Sequence, residues 1–215
     1  MIPLYHDFTD ETVLVVGGGS VGARKARRFA REAKVIVVGP EFPADDYGGA
    51  ELVQAAPTPE DIPEWFDRVE PVLAVAATDN EAVNDAVESA ANDRGVLVNR
   101  TDQSGARDAG SVVVPATVRD GDVSVAISTG GASPALSKEL RKRIEDEIDC
   151  AGVLADLTAE VRADLKQRDI DPETRRDAVR AVVQSPRVWK DLGTGRYKTR
   201  REVDAIVEST LGEQE

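Results

Sequence analysis

Cysteine and histidine are almost missing from this chain: Cys150 and His6 are single instances in 215 residues. One cysteine excludes an internal disulfide and a cysteine-built zinc cluster, so nothing in the composition calls for an oxidising compartment. Cys150 reads as a small buried hydrophobe, and His6, in an N-terminal arm, as a surface or packing residue. Without imidazole and thiolate ligands no preformed transition-metal site is expected, and nucleophilic catalysis lacks its usual partners. Long apolar runs are missing too; none approaches the roughly 20 residues of a spanning helix, and the N-terminus has no secretion-signal pattern. These absences predict a soluble cytoplasmic protein with no membrane partner. Positive charge is in deficit, with 27 Lys and Arg against 40 Asp and Glu and a net charge of −13. Such a surface repels phosphate backbones, which excludes nucleic acid as the main partner and requires any anionic ligand to meet a local basic pocket. Aromatics make up only 4%, Arg far outnumbers Lys, and Ala and Val are abundant. Salt-adapted proteins and ordinary acidic enzymes share that pattern.

Glycine, by contrast, is placed with purpose. The stretch Thr12 to Arg28 reads TVLVVGGGSVGARKARR: an apolar strand, then Gly17, Gly19 and Gly22 in the spacing G-x-G-x-x-G with an extra Gly18, then a basic helix over 21–32. Val21, Ala26, Phe29 and Ala30 are expected to face a sheet, and Arg24, Lys25, Arg28 and Arg31 to face outward. A second apolar run, Lys34 to Gly39, follows, as a strand buried on both faces requires. Strand, glycine turn, helix and strand within this span form the dinucleotide-binding fingerprint of a Rossmann-like parallel sheet, in which the helix N-terminus holds the pyrophosphate. After the second strand, Pro40 and Glu41 stand where such folds place an acid for the ribose hydroxyls, which favours NAD over NADP.

Further along, Glu51 to Ala55 is a weak third strand. PTPEDIPEWFD reads as a loop with a short helical turn anchored by Trp65 and Phe66, and Val72 to Ala77 as the fourth strand. In a doubly wound sheet the first and fourth strands flank the switch point, so the turn Thr78-Asp79-Asn80 is expected beside the glycine loop. Thr78 has two compatible readings: a cofactor contact, and a helix N-cap made by Thr78 or Asp79. A helix over 81–94 closed by Gly95 and a fifth strand over 96–99 follow. Asp102, at the end of that strand, is the best-placed carboxylate for a proton-accepting role, and a loop cap is its other reading.

Beyond residue 110 the pattern changes. Ser111 to Val118 and Asp122 to Ser128 are β-type runs joined by Arg119-Asp120-Gly121, a hairpin signal, with Pro115 confining its strand to an edge. Exposed hairpin edges predict pairing with a second copy, a homodimer. Ser128-Thr129-Gly130-Gly131-Ala132-Ser133-Pro134 then opens a helix over 135–148, with Ser133 as cap and Pro134 in the first turn. Two glycines before a helix read either as a second anion cradle, with Lys138 and Arg141 behind it, or as a plain turn and cap. The remainder reads as charged helices over 151–168, 172–184 and 199–211, with SPRVWKDLGTGRY as a loop held by Trp189 and Leu192. The organisation expected is a dinucleotide-binding domain over 1–112, a hairpin and helix dimerisation region over 113–148, and a helical lobe over 149–215.

Four segments in order, VVGGGSVGARKA, AATDN, VNRTD and VAISTGGASPALSKELR, resemble the siroheme synthase family, specifically its precorrin-2 dehydrogenase module. The resemblance covers nearly the whole chain. It implies oxidation of precorrin-2 to sirohydrochlorin with NAD, and some family members also insert ferrous iron. It puts NAD contacts at Gly17, Gly19, Ser20, Val21 and Gly22, at Pro40 and Glu41, and near Thr78. The family's essential aspartate falls on Asp102, and Ser128, Thr129 and Gly130 fall in the region facing the tetrapyrrole. A substrate so rich in carboxylates calls for concentrated positive charge, for which Arg100, Arg107, Lys138 and Arg141 are the candidates. A regulatory dinucleotide-sensing module without enzymatic activity is the competing reading of the glycine loop alone.

Overall fold

The computed structural model describes residues 2–103, 110–193 and 196–212. Arg107, the substrate-contact candidate in the loop after the fifth strand, lies outside them. By internal contacts the described residues divide into two units. One holds residues up to Val114 with Gly130–Ala132, and the other holds Pro115–Thr129 and the chain from Ser133 onward.

In the first unit, β1 (Thr12–Val16), β2 (Lys34–Gly39), β3 (Glu51–Gln54), β4 (Leu73–Ala76) and β5 (Leu97–Arg100) form one sheet in the order β3-β2-β1-β4-β5. Every pairing is parallel. Because side chains alternate along a strand, β1 feeds two cores. Leu14 and Val16 join Ile62, Phe66, Val83 and Val87 on one side, while Val13 and Val15 join Ala23 and Ala26 on the other. The helices α1 (Ser20–Phe29), α2 (Ile62–Val69) and α3 (Glu81–Arg94) supply those partners. The segment read as a loop at PTPEDIPEWFD is mostly helix: a 3₁₀ turn at Pro59–Asp61 runs into α2. The Thr58 and Asp61 side chains close that start in a capping box, which organises a proline-rich stretch.

The run Ser111 to Val118 is divided between the units. Gly110 and Val112 bond to Val98 on the outer edge of β5, whereas the hairpin strands are β6 (Ala116–Asp120) and β7 (Val123–Ile127). The hairpin turn is therefore Gly121-Asp122, with the glycine at positive φ in the first central position. The second unit continues through α4 (Pro134–Glu147), α5 (Ala151–Gln167), α6 (Pro172–Gln184), α7 (Pro186–Leu192) and α8 (Arg196–Gly212). Residues 186–192, expected as loop, are helix. Ser185 caps α7 by accepting from the Val188 N–H at 3.4 Å, and Val188, fully buried, anchors it. Leu192 is buried as expected, but Trp189 is 39% exposed, with its indole N–H donating to the Val183 carbonyl. Leu154, Leu157, Val161, Leu165, Ala178, Val182 and Val203 complete a closed helical core. Among the described residues no helix is long and apolar enough to cross a membrane.

Candidate active site

The glycine loop is shaped by what lies within ångströms of each Cα. Gly17 sits at φ +120°, and a Cβ there would fall 2.2 Å from the Ala77 carbonyl oxygen at the end of β4. That contact brings the glycine loop and the Thr78 turn together, as the doubly wound topology requires. A Cβ on Gly22 would fall 1.9 Å from the Gly17 carbonyl oxygen, so the first turn of α1 packs directly on the loop. Gly18 lies under the chain leaving β2: its Cβ would meet the Glu41 carbonyl oxygen at 2.2 Å and the Phe42 ring at 2.9 Å. The extra glycine of the GGG run thus makes room for the Pro40-Glu41 segment. Gly19, in contrast, faces open space with nothing within 4 Å, and as the α1 cap it has no side chain to satisfy the helix N–H groups. A bare helix N-terminus behind a glycine open to solvent fits a dinucleotide pyrophosphate.

Tyr47 completes this region and carries no sequence signal of its own. It is 6% exposed, its hydroxyl donates to the Gly18 carbonyl, and its ring meets Phe42 edge-on at 5.6 Å. Glu41 is exposed, within an acidic stretch that also holds Asp45 and Asp46.

At the carboxyl ends of β4 and β5 the second half of the site is a network of polar side chains. Arg100 grips Asp102 with two bonds, Nε to Oδ1 at 3.0 Å and Nη2 to Oδ2 at 2.7 Å. Its Nη1 also reaches Asp85 at 2.7 Å and Glu88 at 2.9 Å. With a side chain 2% exposed and three carboxylates bound, Arg100 is a structural clamp, which corrects its expected role toward substrate carboxylates. The guanidinium holds the Asp102 carboxyl below its ordinary value of 3.8, against burial, which raises it. Burial opposes the Arg100 charge, but hydrogen bonding to Asp102 outweighs it and pushes that pKa up.

Thr78 is joined to the same network. Its hydroxyl donates to Asn84 Oδ1 at 2.8 Å, and Asn84 Nδ2 donates to Asp102 Oδ2 at 3.2 Å. The cap of α3 is Asn80, whose side chain accepts from the Val83 N–H, rather than Thr78 or Asp79. Thr78 braces that turn by accepting from the Asn80 N–H at 3.2 Å. Lys25, expected to face outward, instead donates to Asn99 Oδ1 at 2.7 Å, and Asn99 donates on to the Val112 carbonyl.

The structure therefore gathers Gly17, Gly18, Gly22, Glu41, Thr78 and Asp102 in the first unit, with Ser20 and Val21 opening α1. Ser128, Thr129 and Lys138 belong to the second unit. There the Thr129 hydroxyl accepts from the Ser133 N–H at 3.3 Å and lies 3.1 Å from the Ser137 hydroxyl, closing the turn before α4. Gly130 has positive φ and open space at its Cβ, and Lys138 is exposed. Arg141 pairs with Glu145 along α4 at 3.1 Å. Among the described residues no group of three His, Cys, Asp or Glu side chains could hold a metal ion.

Comparison with known proteins adds names to this geometry. A family profile described as NAD(P)-binding matches residues 4–116, and one described as the central part of a sirohaem biosynthesis protein matches residues 120–147. A siroheme synthase from Stutzerimonas stutzeri is 39% identical over 190 residues, spanning 86% of this chain and 39% of its own length. The chain thus corresponds to a part of that larger protein. A precorrin-2 dehydrogenase from Methanosarcina barkeri is 31% identical over 217 residues, covering 98% of this chain and 95% of its own. Among solved structures, SirC, a precorrin-2 dehydrogenase, shares the fold with a TM-score of 0.72 at 24% identity, over 97% of this chain and 100% of that one.

Proposed function

The chain belongs to the siroheme synthase and precorrin-2 dehydrogenase family, and from that premise we propose that it oxidises precorrin-2 to sirohydrochlorin with NAD. The observation that carries this reading is the tie between the dinucleotide cradle and a held carboxylate: Gly17 against Ala77, Thr78 beside it, and Asp102 joined to Thr78 through Asn84.

The reaction removes two hydrogens from the macrocycle, one as hydride and one as a proton. A bound nicotinamide dinucleotide supplies the hydride acceptor. Gly17, Gly19, Ser20, Val21 and Gly22 are proposed to hold its pyrophosphate, Pro40 and Glu41 its ribose, and Thr78 its nicotinamide side. Glu41, with Asp45 and Asp46 nearby in sequence, supports NAD over NADP, because a ribose 2′-phosphate would meet negative charge. Asp102 is the proposed proton acceptor. Held ionised by Arg100, it is ready as a carboxylate at neutral pH but has little proton affinity, so the proton it takes passes on to water. Its side chain is 30% exposed, which gives that proton a way out. Ser128, Thr129, Gly130, Lys138 and Arg107 are proposed substrate contacts.

A homodimer is part of the proposal. None of the residues of helix α4 is fully buried within the chain, Leu136 on it is 49% exposed, and β6 and β7 form a sheet of two strands. In functional terms we divide the chain into cofactor domain 1–112, dimerisation and substrate region 113–148, and helical lobe 149–215. Mixing the full chain with precorrin-2 and NAD is expected to give NADH and the sirohydrochlorin spectrum in equal amounts, with NADP markedly slower. Neither product at high enzyme concentration would refute the assignment, and added Fe²⁺ with sirohydrochlorin tests separately for metal insertion.

A further inference from the structure

Asn84 lies one turn into α3, is 1% exposed, and uses every hydrogen-bonding position an amide has. Its Oδ1 accepts from the Thr78 N–H at 3.2 Å and the Thr78 hydroxyl at 2.8 Å. Its Nδ2 donates to the Thr78 carbonyl at 2.9 Å and to Asp102 Oδ2 at 3.2 Å. A carboxylate of the same shape would have no donor and would set a second negative charge against Asp102. A leucine would fill the volume and make none of the four bonds. Only an amide satisfies the backbone of one strand end and the carboxylate of the next at once.

We propose that Asn84 is a positioning residue for the dehydrogenation, holding the Thr78 turn and the Asp102 carboxylate in one fixed geometry. The proposal rests on the reading of Asp102 as proton acceptor and goes beyond it. Arg100 has the largest hold on the charge of the Asp102 carboxylate, but it bonds to nothing in the Thr78 turn, since its remaining contacts are Asp85 and Glu88 on α3. Asn84 is therefore the side chain that ties the Thr78 turn directly to the carboxylate of the proton acceptor. The charged groups facing it are Asp102 directly, Arg100 through Asp102, and Asp85 and Glu88 through Arg100; Asp79 in the turn is exposed.

The test uses the full chain with Asn84→Leu and Asn84→Asp, and with Val87→Ala, a fully buried residue of the same helix, as a packing control. Asn84→Leu is expected to lower kcat by about 100-fold and to weaken NAD⁺ binding, followed by calorimetry, at a thermal stability no lower than that of Val87→Ala. In an Asp102→Asn background the same substitution is expected to change kcat by less than about twofold, because its effect runs through Asp102. Should Asn84→Leu fail to fold, Asn84→Asp decides. Carbon-13 NMR of the side-chain carboxyls in the free protein is expected to show the new pair sharing a proton, with one apparent pKa raised well above the ordinary carboxylate range. Asn84 variants that behave as Val87→Ala does, or a titration with both carboxyls in the ordinary range, would overturn the proposal. An Asp102→Asn protein with undiminished kcat would instead remove the reading of Asp102, and the proposal with it.

Discussion

The two units bury their side chains in different ways. In the first, every residue from Val13 to Val16 is 2% exposed or less, and the described buried polar side chains, Asn84, Asn99 and Arg100, are two amides and a guanidinium hydrogen-bonded around the carboxyl ends of β4 and β5. In the second, the described buried polar residues are Thr174 and Thr199, hydroxyls within helices, and the α5 to α8 core is otherwise aliphatic. Helix α4 belongs to neither pattern, since it leaves Leu136 exposed and none of its residues is fully buried. Buried amides and guanidinium groups cost more to desolvate than hydroxyls, and they are tolerated where each bond is made. The first unit spends that cost on geometry at a site, and the second builds a frame.

Four experiments can break or sharpen this contrast. Asp102→Ala is expected to lower kcat by about 10³-fold while NAD affinity and the thermal transition of the helical unit stay unchanged; a comparable loss of NAD affinity would make the residue a frame element. Next come two glycines that each meet a carbonyl. Gly22→Ala puts a Cβ 1.9 Å from the Gly17 oxygen, and Gly152→Ala puts one 2.6 Å from the Asp120 oxygen. Each is expected to cost about 1–3 kcal/mol in denaturant unfolding, but only Gly22→Ala should weaken NAD binding. Leu136→Lys is expected to raise the dissociation constant of the proposed dimer by at least about tenfold in sedimentation, leaving the unfolding of α5 to α8 in place. The smallest effect is acid-linked. Because the folded Asp102 carboxyl lies below 3.8, its pairing stabilises the fold above that pH and ceases to do so as pH falls through the folded value. The stability gap between the wild type and Asp102→Asn should therefore be full at neutral pH and close only in strong acid.

Much of the first unit was legible because local signals agreed with the long-range order. The run Lys34 to Gly39 matched β2 to the residue, and Gly95 closed α3 where expected. Helix α7 was missed although Ser185-Pro186 repeats the cap-and-proline signature that located α4 at Ser133-Pro134 and α6 at Asp171-Pro172. Seven residues give too little periodicity for that signature to register. The site's named positions were legible from motifs, but Asn84 and Tyr47 were not. Their roles depend on partners 18 and 29 residues away, and nothing in a polar helix residue or a loop tyrosine announces such a partner. Arg100 failed for the opposite reason: a strand-end arginine reads as a ligand group until its three carboxylates are seen.

The stacking of backbones at the glycine loop has a further consequence, for how this gene can vary. A Cβ on Gly39 would fall 2.7 Å from the Gly18 nitrogen, and one on Gly18 would fall 2.2 Å from the Glu41 oxygen. Three crossings of main chain therefore share one space, and no compensating change of a side chain can relieve a clash between them. In a saturation library, Gly17, Gly18, Gly22 and Gly39 should form a single block that admits no replacement, while Gly19, open on its Cβ side, tolerates small residues until dinucleotide is required. Growth selections with and without demand for the reaction would separate those two kinds of glycine.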